Sequence, residues 1–167
     1  MALKNIETYI MRRGLVKTVD PAVKKPIYRK PGFEGIVSLS TMEERLSLHL
    51  RRKRDEQWLN RSQVGMMVGI HAEIYARHER AGAKLSVARL LHLAELLDFS
   101  PIEAIHAVTP QFFGEDQDDA DLRLALMMKS LAMSASTAKA LLDVVEALPR
   151  SGSQDEGSTR AESTDRA

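Results

Sequence analysis

Cysteine is missing from the 167 residues. Neither a disulfide nor a thiolate-bound metal is available, a composition that suits a reducing cytosol. No apolar run approaches the roughly 18 residues of a membrane-spanning helix. The first stretch, MALKNIETYIMRRG, places Lys4 and Glu7 ahead of any apolar block, which is not the pattern of a signal peptide. Catalytic patterns are missing too. The five histidines are scattered, no nucleophile stands at a spacing that pairs it with a base, and no glycine-rich phosphate loop occurs. His71 and His78 lie seven residues apart, with no third ligand nearby to complete a metal site. The expectation is a protein without enzymatic activity, cofactor, metal or membrane span.

What is present is ordinary in bulk and uneven in distribution. Apolar residues make up 44% and charged residues 28%, as in globular proteins, and the length fits one domain, or a small domain with appendages. The net charge of +1 conceals a polarity: residues 1–90 hold 18 Lys+Arg against 9 Asp+Glu, and residues 91–167 hold 6 against 14. A basic half is often only solvated surface, but it also suits a polyanion.

Residues 1–39 predict a basic, largely irregular arm. It has a short helix from Asn5 to Arg13 stopped by Gly14, then a stretch punctuated by Pro21, Pro26, Pro31 and Gly32. Such an arm is either a solvated tail or a segment that touches nucleic acid or a protein partner. Residues 40–113 read as a helical domain. Ser40 with Glu43 and Asn60 with Gln63 form capping boxes, predicting helices from about Thr41 and from Asn60. A third helix is expected from about His71 to Arg80, a fourth after Ser86 and a fifth at Ser100–Pro101, where proline is tolerated at the first helical position. Residues 114–121, GEDQDDAD, carry five acids and no base and read as an exposed linker or the start of a helix. Two further helices are expected at about Leu122–Met133 and Ser136–Leu148. Residues 150–167 are polar and are expected to be disordered.

In LNRSQVGMMVGIHAEIYARHE, Leu59 to Glu79, helical apolar spacing is interrupted by Gly69. A glycine inside a helix costs about 1 kcal/mol relative to alanine, so a tight turn between two short helices accounts for it better than one kinked helix. Two helices crossing steeply need a small side chain at their approach, and Gly65 supplies it. Val64, Val68, Ile70 and Tyr75 would hold the pair to the body of the domain.

Residues 42–106 resemble the Cro/lambda-repressor type of helix-turn-helix domain, the XRE family. The resemblance is carried by Leu46, Leu50 and Arg54, by LNRSQVG (Leu59–Gly65), by Gly69–Ile70, by Glu79–Arg80 and by LLHLAELLDFSP (Leu90–Pro101). It implies an all-α fold: a five-helix repressor-like helix-turn-helix domain, here followed by a C-terminal two-helix segment. It also implies a structural ion pair between Arg54 and Glu79. The third helix would enter the major groove of double-stranded DNA, placing His71, Ala72, Glu73 and Arg77 against base edges. Arg77 suits guanine and Glu73 suits cytosine, although the two could equally form a solvated i, i+4 pair. Arg61, Ser62 and Lys84 would contact phosphates. Ala81 replaces the family's usual glycine, His78 holds a usually apolar place, and Ile74 and Ala76 stand where polar residues are common. These departures leave open a domain turned towards protein binding.

A single domain of this type reads a short half-site, so a homodimer is expected. Leu141, Val145 and Leu148, within the helical segment 122–149, form the candidate dimerisation stripe. The leading expectation is a sequence-specific transcriptional regulator, cytoplasmic and associated with the nucleoid. The alternative is a protein-interaction module, or an antitoxin-like regulator whose arm or C-terminal helices bind a partner.

Overall fold

A hairpin and a first short helix precede the helical body of the chain. In the computed structural model, which describes residues 6–148, α1 (Ile6–Arg12) is followed by β1 (Val16–Thr18) and β2 (Ile27–Arg29). The strands pair antiparallel, with Val16 opposite Arg29 and Thr18 opposite Ile27. The arm is therefore more ordered than its prolines suggest, and the fold is mostly helical with a small two-stranded sheet. Three-residue strands are too short to show alternation in sequence, and what holds them lies elsewhere in the chain. The buried Asp20 carboxylate accepts the Ala22 and Leu39 backbone N–H groups at 2.9 and 2.6 Å. These bonds, Leu39's first, hold the carboxyl below the usual aspartate range. Arg29 donates to the Val37 carbonyl and reaches the Met42 sulfur.

Then come α2 (Leu39–Glu56), α3 (Arg61–Met67), α4 (Ala72–His78), α5 (Val87–Leu96) and α6 (Pro101–Val108), with a 3-10 turn at Pro110–Phe112. Ser38, rather than Ser40, caps α2: its hydroxyl accepts from Thr41 N at 3.0 Å, so the helix starts two residues earlier than the capping-box spacing implies. Asn60–Gln63 and Ser100–Glu103 form complete capping boxes, and Ser86 caps α5. His71 is the N-cap of α4 and lies outside the helix, which ends at His78 instead of continuing to Arg80. The core is built from Leu50 of α2, Val64 and Val68 around the end of α3, Tyr75 of α4, Leu93 and Leu97 around α5, Phe99 and Ala104.

The acidic stretch is no free linker. Gln117 begins α7 (Gln117–Leu131), which starts five residues before the expected Leu122. Its acids serve the helix start, where N–H groups lack helical partners: Asp116 accepts from Asp119 N at 2.9 Å and Asp119 accepts from Glu115 N at 3.0 Å. Ala120 is fully buried, and Gly114 lies so close that a Cβ there would sit 2.5 Å from Ala120 N. The chain divides into two units between Met128 and Lys129. The second unit contains α8 (Ala135–Ala147), capped by Ser134. The expected disordered tail, residues 150–167, lies outside the described residues.

Candidate nucleic-acid interface

The turn between α3 and α4 is built from two glycines with different tasks. Gly69 adopts φ +70°, a left-handed conformation that costs other L-residues roughly 1–2 kcal/mol. Gly65 is buried where the helices cross. A Cβ added there would lie 2.8 Å from the Ile70 carbonyl oxygen and 3.1 Å from Ala72 N, so a larger side chain would push the two helices apart. Arg89 of α5 secures the turn by donating to the Val68 carbonyl at 2.6 Å.

Below the turn lies a buried charge cluster. Arg54 grips Glu79 with Nε–Oε1 at 2.6 Å and Nη2–Oε2 at 3.2 Å, and also donates to the Leu59 carbonyl at 2.7 Å. One side chain thus ties the end of α2 to the loop before α3 and to the C-cap of α4. The Glu79 side chain is completely buried. Burial alone would raise its pKa, but hydrogen bonds from Arg54 and then Arg61 outweigh it and leave the carboxyl below the ordinary glutamate value. Removing one member of such a pair costs about 3–5 kcal/mol, because the other charge stays buried and unpaired. Tyr75 is buried beside this cluster, and burial first, then the Glu79 charge, push its phenol upward in pKa.

Of the residues expected at base edges, His71 at the N-cap of α4 and Glu73 and Arg77 on the helix are exposed, whereas Ala72 is half-buried where α4 meets Gly65. The His71 side chain makes no capping bond. Glu73 and Arg77 do not pair with each other. Glu73 accepts from Arg80 at 2.6 Å, and Arg77 reaches the Gly82 carbonyl at 3.3 Å. Among the residues expected at phosphates, Ser62 and Lys84 are exposed. Arg61 is partly committed: its Nε donates to Glu79 Oε2 at 2.7 Å while the side chain stays 40% exposed. The remaining departures sort themselves by burial. Ala76 is in the core, Ile74 stays exposed, and His78 is half-buried with Nδ1 3.3 Å from the Ala83 carbonyl.

Two positioning residues carry no local signal in sequence. Ser47 donates to the His78 carbonyl at 2.6 Å and accepts from Ala81 N at 3.1 Å, fastening the end of α4 to α2. Arg89 is the other. Both act on partners at least 21 residues away in the chain. Ala81 adopts φ +54°, taking without glycine the left-handed turn that glycine would adopt freely.

Of the dimerisation stripe, Leu141 is half-buried while Val145 and Leu148 are exposed, 55% and 60%. Among the described residues no helix is long and apolar enough to cross a membrane. No family model, curated protein or solved structure matches the chain.

Proposed function

We propose that the protein is a sequence-specific DNA-binding transcriptional regulator, working as a homodimer through a five-helix repressor-like helix-turn-helix domain. The observation that carries this is the presentation of α4. Tyr75, Ala76 and Glu79 anchor its inner side, and the outer side offers His71, Glu73 and Arg77 to solvent. A short rod held from behind, with a cation and an acid on its free side, has the form that reads a major groove. Arg77 is the main base contact. Its hold on Gly82 is a single long bond to an exposed carbonyl, readily exchanged for guanine O6 and N7. Glu73 would have to leave Arg80 to accept from cytosine, so its share is smaller. Ser62, Lys84 and the exposed part of Arg61 supply phosphate contacts, which make affinity fall steeply with salt.

Gel shifts with DNA from upstream of the protein's own gene test this. The wild type should give a band that survives competitor DNA, and Arg77→Ala should abolish it while retaining weak, salt-sensitive binding. Sequence preference that is unchanged in both Arg77→Ala and Glu73→Ala would sink the assignment. The second reading, a protein-interaction module, is favoured by the apolar side chains that α3 and α4 leave exposed: Met66 at 75% and Ile74 at 43%. Co-purification of a partner lost in Met66→Asp, with no DNA sequence preferred, would select it.

A further inference from the structure

We infer that the cleft between the N-terminal helix–hairpin and the 3-10 turn after α6 is a binding site for a mononucleotide, an anion carrying a planar ring. The cleft has a volume of about 600 Å³, inside the range of roughly 300–1,000 Å³ typical of small-molecule sites. Its lining contains no acid. Arg13, just before the hairpin, and Lys30, just after it, are exposed there, and the fold brings them to one cavity. The third cation, Arg29, is held by the Val37 carbonyl and the Met42 sulfur. It therefore stiffens the wall and leaves the other two to meet the ligand. Three rings share the lining: Tyr9, half-buried, Tyr28, 46% exposed, and Phe112, 71% exposed.

Each feature selects part of the ligand. Two cations without a carboxylate competitor select a phosphate. Exposed aromatic faces beside them select a flat ring that can stack. The small volume holds one such ligand, whereas a nucleic-acid strand needs a groove that tracks several nucleotides. The end of the hairpin segment is packed on the 3-10 turn at the cleft: Gly32, next to the lining residue Pro31, lies against the Gln111 side chain, 3.1 Å from where a Cβ would stand. The site is thus preformed. It lies apart from α4 in sequence and does not depend on the DNA-binding proposal.

Titration calorimetry on the full chain at low salt, with AMP, adenosine and inorganic phosphate as probes, tests the inference. AMP should bind, with adenosine and phosphate each weaker by about tenfold or more, since each lacks half of the recognised chemistry. Arg13→Ala with Lys30→Ala should remove AMP binding while adenosine is little changed. Tyr28→Ala, or Phe112→Ala as a second ring variant, should weaken AMP by about tenfold, the loss expected from one stacked ring. Unchanged melting temperatures would show that these surface variants still fold. The inference fails if AMP gives no saturable heat, if the double variant binds AMP as the wild type does, or if only a single-stranded oligonucleotide binds through these residues.

Discussion

The helices α3 and α4 have seven residues each, while α7 has fifteen and α8 thirteen, yet burial runs opposite to length. In the short pair Val64, Gly65, Tyr75 and Ala76 are buried; in the long ones Ala120 is the one buried residue. Isolated helices as short as α3 and α4 are unstable in water, so their existence depends on tertiary anchors. α7 and α8 instead expose Leu122, Leu126, Leu131, Leu142, Val144 and Val145, a quantity of apolar surface that suits a further contact. The difference separates a region whose shape is held from within from one whose apolar faces are still open.

The largest effect should come from breaking the anchor of the short pair. Arg54→Ala should lower unfolding free energy by about 3–5 kcal/mol, measured by chemical denaturation. A loss below about 1 kcal/mol, the value of an exposed pair, would show that the cluster does not hold α3 and α4.

Acid should act on the same body at a second point. His49 of α2 is buried, edge-on to the Phe99 ring at 5.1 Å. Arg52 donates to its Nδ1 at 3.3 Å, so Nε2 carries the proton, buried and without a hydrogen-bond partner. Burial first, then the charges of Arg52 and Lys53, hold its pKa down at about 4 against the opposing carboxylates of Glu103 and Glu56. Because the folded value lies below the unfolded 6.5, the stability is present above pH 6.5 and declines as pH falls towards 4. The full loss is on the order of 3 kcal/mol. A His49→Leu variant should have a flatter profile in that window, with the acid loss linked to Glu79 remaining below about pH 4.5. An unaltered profile would remove His49 as the cause.

Ala81→Gly should act in the opposite direction, raising stability by about 1 kcal/mol by relieving a left-handed alanine, read as a higher denaturation midpoint. A lower midpoint would mean that the Ala81 methyl contributes more than its backbone costs. The smallest effect on the fold belongs to the exposed faces. Val145→Asp with Leu148→Asp should change monomer stability by no more than about 0.5 kcal/mol, yet convert the proposed dimer to a monomer in light scattering. A dimer that persists would place its interface elsewhere.

Much of the helical body was legible along the chain because caps and turns are local. Asn60–Gln63, Ser86, Ser100–Pro101 and Gly69 act within a few residues of themselves, and each appears where its spacing predicts. The pairing of Arg54 with Glu79 followed from the family resemblance, and the structure has it at 2.6 Å. Other features were not legible. Ser38 competed with Ser40 for one cap, and spacing alone ranked them wrongly. The hairpin depends on Asp20 reaching Leu39 and on Arg29 reaching Val37 and Met42, contacts without any sequence period. The nucleotide-sized cleft needs Arg13, Lys30 and Phe112 side by side, and nothing in their spacing announces it.

By itself the amino-acid sequence determined that helices begin after Asn60, Ser86 and Ser100 and that the chain turns at Gly69, because capping and glycine dihedrals act over a turn or two. Only the tertiary structure decided which charges are committed and which are offered. Arg61 bonds Glu79, Glu73 bonds Arg80, and Arg13 converges with Lys30 on one cavity. Side-chain pairing depends on distances through space that chain folding alone brings below hydrogen-bond length.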